Sequence, residues 1–267
     1  MTDLIDLYAQ HCAHRNLRPT YIYHQRLGLN RLAKFFGPAL CEADTDDLLA
    51  YLASRGLSPD ARGVEIAHLR AFYGWAHKHG LIDCNPAAAL VKPRRKVTLP
   101  RPMPTVDVQR ALAEAPCEVA PILNLAVYAG LRRCEIAQLR AEDIGPQIIR
   151  VRESKGGGES VVPISPTLAS ILGRCPLPKV GWLFPGRSGE HLSFARVGQI
   201  ANEYLHSIGI PHTLHQLRHA YGTAVYRQTR DLLLTQELMR HRSIASTVGY
   251  TLLESEAGAN AVAALHW

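Results

Sequence analysis

A chain of 267 residues, at roughly 100–200 per domain, has room for two domains or one large one with a full core. Peptide hormones and disulfide-built miniature scaffolds are excluded. The 30 Lys and Arg against 23 Asp and Glu leave a net charge of +7, which favours an anionic partner such as nucleic acid. A 47% hydrophobic and 20% charged composition is that of a folded soluble chain, and no stretch approaches the roughly 20 apolar residues of a membrane span.

The opening MTDLIDLYAQ carries Asp3 and Asp6 and has neither the basic head nor the apolar run of a secretory signal, so a cytoplasmic protein is expected. The six cysteines are scattered without a Cys-x-x-Cys pair, so neither a zinc cluster nor a disulfide framework is indicated. From Asp3 to His79 apolar residues recur at three- and four-residue spacing, as in Leu4, Leu7 and Tyr8, then Leu29, Leu32, Phe35 and Phe36. Gly37-Pro38, Gly56 and Ser58-Pro59 divide this run into four expected helices. Ser58-Pro59 reads as a cap with a first-turn proline, and the last helix presents Leu69, Phe72, Tyr73 and Ala76 on one face and ends at Gly80.

A helical domain over 1–82 is therefore expected, followed by a linker over 83–104 that holds five prolines and five bases, Lys92, Arg94, Arg95, Lys96 and Arg101. No acid lies between Asn85 and Met103, so a chain passing a duplex there would offer charge only to phosphates; a solvated basic hinge is the plainer alternative. Residues 105–267 form the second expected domain. Thr105 reads as a helix cap for Val106 to Ala115, and an apolar helix from Glu118 to Ala129 is interrupted by Gly130. The β-branched runs Ile148 to Val151 and Ser160 to Ile164 flank Ser154-Lys155-Gly156-Gly157-Gly158, which reads as a hairpin. Helical period returns over Phe194 to Ile208, Thr213 to Thr229, Asp231 to Arg240 and Ser243 to Leu253. The fold class is mainly α with one small antiparallel sheet.

A metal site has little support. Asp44, Asp46 and Asp47 open a helix, where the dipole accounts for them, and Glu142-Asp143 reads as helix-end solvation. His215 and His219 share a helix face with His212 nearby, but Gln216 stands where a zinc protease needs Glu, and Arg218 sets a fixed cation beside the site. Neither a metal nor another cofactor is expected. Charge neutralisation falls to side-chain cations in four segments: Gly130-Leu-Arg132-x-x-Glu135, Lys155 at the hairpin tip, His215-x-x-Arg218-His219, and His241 with Tyr250 nine positions on. Taken singly, each has an ordinary reading: an i,i+3 ion pair, an exposed turn lysine, a helix start, a packed aromatic.

Taken in order, the four segments resemble the tyrosine recombinase family, also called phage-type integrases, over about Arg101 to Leu252, while Asp3 to His79 is similar to the family's helical core-binding domain. The resemblance implies a C-shaped clamp on DNA with the catalytic domain on one side. It implies Arg132, Lys155, His215, Arg218, His241 and Tyr250 as the catalytic set, with Glu135 and His219 in support. The usual pattern is departed from in three places: Arg240 where glycine commonly precedes the histidine, Cys134 where serine is frequent, and the run Gly156 to Gly158 after the lysine. None removes a catalytic group. An additional amino-terminal domain is not expected, since helical sequence begins near Met1, and the Ala-rich tail with Ala261 to Leu265 resembles the family's partner-docking tail, a frayed terminus being the alternative.

The implied activity is site-specific recombination through a 3′-phosphotyrosyl intermediate, integrating or excising a phage or mobile element. Two guanidinia neutralise the phosphate, Tyr250 attacks it, His215 serves as base or relay, Lys155 protonates the 5′ oxygen and His241 donates to the phosphate. The implied partners are double-stranded DNA with specific sites, three further protomers in a homotetramer on synapsed DNA, and an accessory directionality factor, the free chain being monomeric. Type IB topoisomerase-like relaxation and a catalytically idle DNA-binding regulator are the alternatives.

Overall fold

The computed structural model describes residues 2–94, 100–152, 158–241 and 243–250. The chain divides into two compact units, Met1–Val97 and Thr98–Trp267. No helix among the described residues is long and apolar enough to cross a membrane.

In the first unit four α-helices follow one another: α1 (Thr2–His14), α2 (Pro19–Phe36), α3 (Thr45–Ser54) and α4 (Pro59–Lys78), with a 3₁₀ turn at Gly37–Cys41 between α2 and α3. Local chemistry sets their ends. Asp44 caps α3 by accepting from the Asp47 N–H at 2.8 Å, and the Asp47 carboxylate returns the bond to the Asp44 N–H at 3.0 Å. Ser58 caps α4 ahead of Pro59, and the helix terminates at Gly80, whose φ of +67° is left-handed. The helical face anticipated for α4 is the buried one: Ile66, Leu69, Phe72 and Tyr73 close on Tyr8, Leu29, Leu32, Leu48 and Leu52, and Ala76 is buried as well. Burying each large apolar side chain stabilises the unit by about 1.5–3 kcal/mol. Two polar groups inside it are paired, with the Tyr51 hydroxyl donating to Glu65 at 2.8 Å and the Tyr73 hydroxyl to the Leu40 carbonyl at 2.9 Å. Residues 85–90 fold back onto this core: Ala87 and Leu90 are buried, and Arg70 donates to the Ala88 carbonyl at 3.1 Å.

The second unit is built round the apolar helix α6 (Ala120–Tyr128), preceded by α5 (Thr105–Ala113) and followed by α7 (Arg133–Ala137). Thr105 is the first residue of α5 rather than its cap; Pro104 holds the cap position and no side chain closes it. Strands β1 (Ile148–Val151) and β2 (Ser160–Pro163) pair antiparallel with Ile149 opposite Val162. Alternate residues Ile149, Val151 and Val162 enter the core, as a half-buried hairpin requires. The turn with Lys155 lies outside the described residues, as do Arg95, Lys96 and the tail after Tyr250.

Next comes α8 (Pro166–Arg174), capped by Ser165 and anchored by Leu168 and Leu172, then α9 (Phe194–Ser207), α10 (Leu214–Thr229), α11 (Leu232–Leu238) and the short α12 (Ala245–Val248). Helix α10 packs along α6, so the break after α6 lies beside α10. Glu142 and Asp143 are not a solvating pair: Asp143 is 3% exposed, accepts from the Arg140 N–H and pairs with Arg152 at 2.6 Å.

Candidate active site

Three segments of the second unit meet at one carboxylate, that of Glu135. After α6 the chain turns at Gly130, whose φ is +57° and whose missing Cβ would lie 2.4 Å from the Tyr221 ring of α10, so glycine is required on both counts. The turn brings Arg132 to the start of α7. Glu135, one turn later, reaches back to accept the Arg132 N–H at 2.8 Å and its guanidinium at 2.5 Å. Arg240 donates to the same carboxylate at 2.8 Å, and Arg218 stands 3.7 Å from it.

Burial raises the Glu135 pKa, but Arg240, Arg218, the Arg132 N–H and the Arg132 charge outweigh burial and hold it below the ordinary carboxylate value. Arg218 projects from the first turns of α10 and is 2% exposed. It donates to the Gly130 and Met239 carbonyls, while Arg132 donates to the Arg240 carbonyl at 2.8 Å. Burial, with the Arg132 and Arg240 charges, lowers Arg218 to about 9, so it stays protonated at neutral pH.

Tyr250 follows α12 and is fully buried. Its hydroxyl lies 2.9 Å from Nδ1 of His219, one position after Arg218, and its ring covers Gly222, where a Cβ would come within 2.8 Å of Cζ. Burial raises the phenol to about 12, while Arg218 and Arg132 pull it down, which places both guanidinia within electrostatic reach of the hydroxyl. His219 is lowered to about 4 by burial, His215 and Arg218. His241 is lowered to about 3 by burial, Arg218 and Arg132; its Nδ1 lies 3.0 Å from the Thr247 hydroxyl and its ring stacks on Tyr250. His215 keeps an exposed edge and meets His219 edge-on at 4.5 Å, while partial desolvation on its packed side, with Arg218 and Arg132, lowers its pKa.

The structure thus gathers Arg132, Glu135, His215, Arg218, His219, His241 and Tyr250 into one constellation. The group on the Tyr250 hydroxyl is His219, and His215, expected as base or relay, meets the ring of His219. Sequence reasoning also missed that the Arg240 side chain enters the cluster; the available signal was an arginine at a position that usually holds glycine.

Residues 106–256 match the model of the Phage integrase family. The chain belongs to this family of tyrosine recombinases. Tyrosine recombinase XerC of Shewanella amazonensis is 31% identical over 260 residues, which cover 90% of this chain and 87% of that protein. The putative integrase/recombinase y4qK of Sinorhizobium fredii is 34% identical over 231 residues, 82% of this chain and 74% of the other. Among solved structures, the integrase of mycobacterium phage Brujita is 27% identical with a TM-score of 0.51, covering 90% of this chain and 84% of that one. A lambda integrase dimer bound to a COC′ core site is 19% identical with a TM-score of 0.76 over 94% of both chains, a likeness of fold. The family model and the recombinase relatives show this chain to be a tyrosine-type site-specific recombinase, and they lend the topoisomerase and regulator readings no support.

Proposed function

We propose that this recombinase cuts and rejoins double-stranded DNA by using Tyr250 as nucleophile and Arg132 with Arg218 as the cations that meet the scissile phosphate. The carrying observation is the burial of the Tyr250 hydroxyl within the field of both guanidinia, against the neutral imidazole of His219. A phosphodiester resists nucleophiles through its negative charge, and the transition state spreads that charge over the non-bridging oxygens. Guanidinium forks stay protonated and can grip two oxygens at once.

The Tyr250 oxygen forms a bond to phosphorus as the P–O5′ bond breaks, and the phenolic proton passes to His219, from which His215 can carry it to solvent. Lys155 is assigned protonation of the departing 5′ oxygen, and His241 a hydrogen bond to the phosphate. The resulting 3′-phosphotyrosyl ester keeps the bond energy, so a 5′ hydroxyl can reverse the step on a new strand without ATP. Exchange between two duplexes needs four such cuts, which supports a homotetramer on synapsed DNA; Lys92, Arg94, Arg95, Lys96 and Arg101 are assigned to the DNA backbone on their charge.

The test is a suicide substrate nicked near the cleavage position of the cognate site. Wild-type protein is expected to trap a covalent adduct, and Tyr250→Phe to shift the same DNA equally in a gel while trapping none. An adduct in that variant would remove Tyr250 from its role.

A further inference from the structure

Arg240 stands where the chain cannot follow α11 without a left-handed residue. Its φ is +51°, its N–H bonds back to the Glu237 carbonyl at 2.8 Å, and the His241 N–H bonds to the Gln236 carbonyl at 3.0 Å, a helix-end geometry in which glycine is the unstrained choice. A non-glycine residue persists there when its side chain does something in return. The Arg240 side chain is 5% exposed and donates to four acceptors on three segments: the Leu238 carbonyl at 2.9 Å, Ala129 at 3.5 Å, Gly130 at 2.6 Å and Glu135 at 2.8 Å. Its own carbonyl accepts from Arg132 at 2.8 Å.

We infer that Arg240 is a positioning residue for the recombination chemistry: it ties the Gly130 turn to the end of α11 and occupies Glu135, so that Arg132 and Arg218 keep their charge for the phosphate. This inference rests on the reading of Arg132, Arg218 and Tyr250 given above. With two arginines alone, the Glu135 carboxylate would neutralise half of their charge. With three, one positive charge is matched and two remain for an anion. Geometry separates the roles: Arg132 is 18% exposed at the side chain, whereas Arg240 is nearly sealed at 5%.

The charged and titratable groups facing Glu135 come from each neighbouring segment: Arg132 at the start of α7, Arg218 from α10, and Arg240 after α11. Arg240 heads the influences that lower the Glu135 pKa against burial, so its loss raises that pKa and the carboxylate protonates sooner as pH falls. Two variants test the role. Arg240→Gly fits the left-handed backbone and should fold, while Arg240→Lys keeps the charge and loses the fork. In single-turnover cleavage of the suicide substrate, Arg240→Gly is expected to react about 10- to 100-fold more slowly with unchanged DNA affinity, and the acid limb of its pH–rate profile is expected to move up. Arg240→Lys should be slowed but keep the wild-type acid limb. If wild-type protein gives the Tyr250 adduct and Arg240→Gly matches its rate and pH profile, the inference fails while the parent reading stands; if wild-type protein gives no adduct, the parent reading fails first.

Discussion

Removing the Glu135 carboxylate tests the arrangement at its centre. The side chain is 1% exposed and takes hydrogen bonds from the Arg132 N–H, the Arg132 guanidinium at 2.5 Å and Arg240 at 2.8 Å. Glu135→Ala leaves three buried or half-buried guanidinia with no acid between them. Breaking a buried pair by deleting one partner costs about 3–5 kcal/mol, a large part of the roughly 5–15 kcal/mol that holds a typical domain together. At about 2–4 °C per kcal/mol for a unit of this size, the melting temperature should fall by about 6–20 °C.

Calorimetry at neutral pH measures the fall, and the double variant Glu135→Ala/Arg240→Met should melt above Glu135→Ala alone, because one unpaired cation has gone. The pH dependence has a definite sign. The folded-state pKa of Glu135 lies below its ordinary value of 4.5, so its contribution is complete above that value and is lost as pH falls through the folded pKa. The gap between wild-type and Glu135→Ala melting temperatures should therefore be full at pH 7 and close below pH 4.5. A Glu135→Ala protein that melts within about 2 °C of wild type at neutral pH would refute the reasoning.

Two further outcomes are expected. Gly222→Ala places a Cβ 2.8 Å from Tyr250 Cζ and 3.1 Å from Met239 Cε, so the phenol should leave its pocket; ultraviolet titration against Tyr250→Phe should then show one tyrosine ionising near its ordinary 10.0 instead of about 12. His219 and His241 are held at about 4 and about 3 against an ordinary 6.5, so the unfolded chain binds protons that the folded chain refuses, and stability should fall as pH drops from 6.5 toward 4. Denaturant unfolding at pH 7 and pH 5 measures this slope, which His219→Gln/His241→Gln should flatten.

The first unit was legible because its helices are long, periodic and closed by side chains next in sequence, such as Asp44 with Asp47 and Ser58 with Pro59. Helix α8 was passed over although its signals are present: Ser165-Pro166 repeats the cap of α4, and Leu168, Ile171 and Leu172 stand at helical spacing, but over nine residues only. Asp143 was misread because its partner Arg152 belongs to the segment after β1, a contact that local spacing does not announce. The site shows the same division. Arg132 and Glu135 stand one helical turn apart and could be read as a unit, and so could His215 and Arg218. What brings them together is long-range: Arg240 meets Gly130 and Glu135, separated from it by 110 and 105 positions. His219 was taken as support for the motif, and only the fold shows that it, rather than His215, faces the hydroxyl.

The charge balance of the cluster explains why so much polar chemistry is buried at one place. Three guanidinia converge on one carboxylate, and their other acceptors among the described residues are neutral carbonyls at Ala129, Gly130, Leu238, Met239 and Arg240. Neutral carbonyls satisfy hydrogen bonds but leave two positive charges uncompensated. The titrating neighbours register that excess: Arg218 and Arg132 follow burial among the influences that keep His241 neutral, and the same two arginines pull the Tyr250 phenol toward ionisation against its burial. A packed core would be more stable with fewer cations. The imbalance has a use only when an anion arrives, because a phosphate oxygen makes charge-assisted hydrogen bonds roughly twice as strong as those of the carbonyls it replaces. On the proposed reading of the site, the fold holds, at some expense to its own stability, two positive charges that complement a phosphate gathering negative charge beside Tyr250.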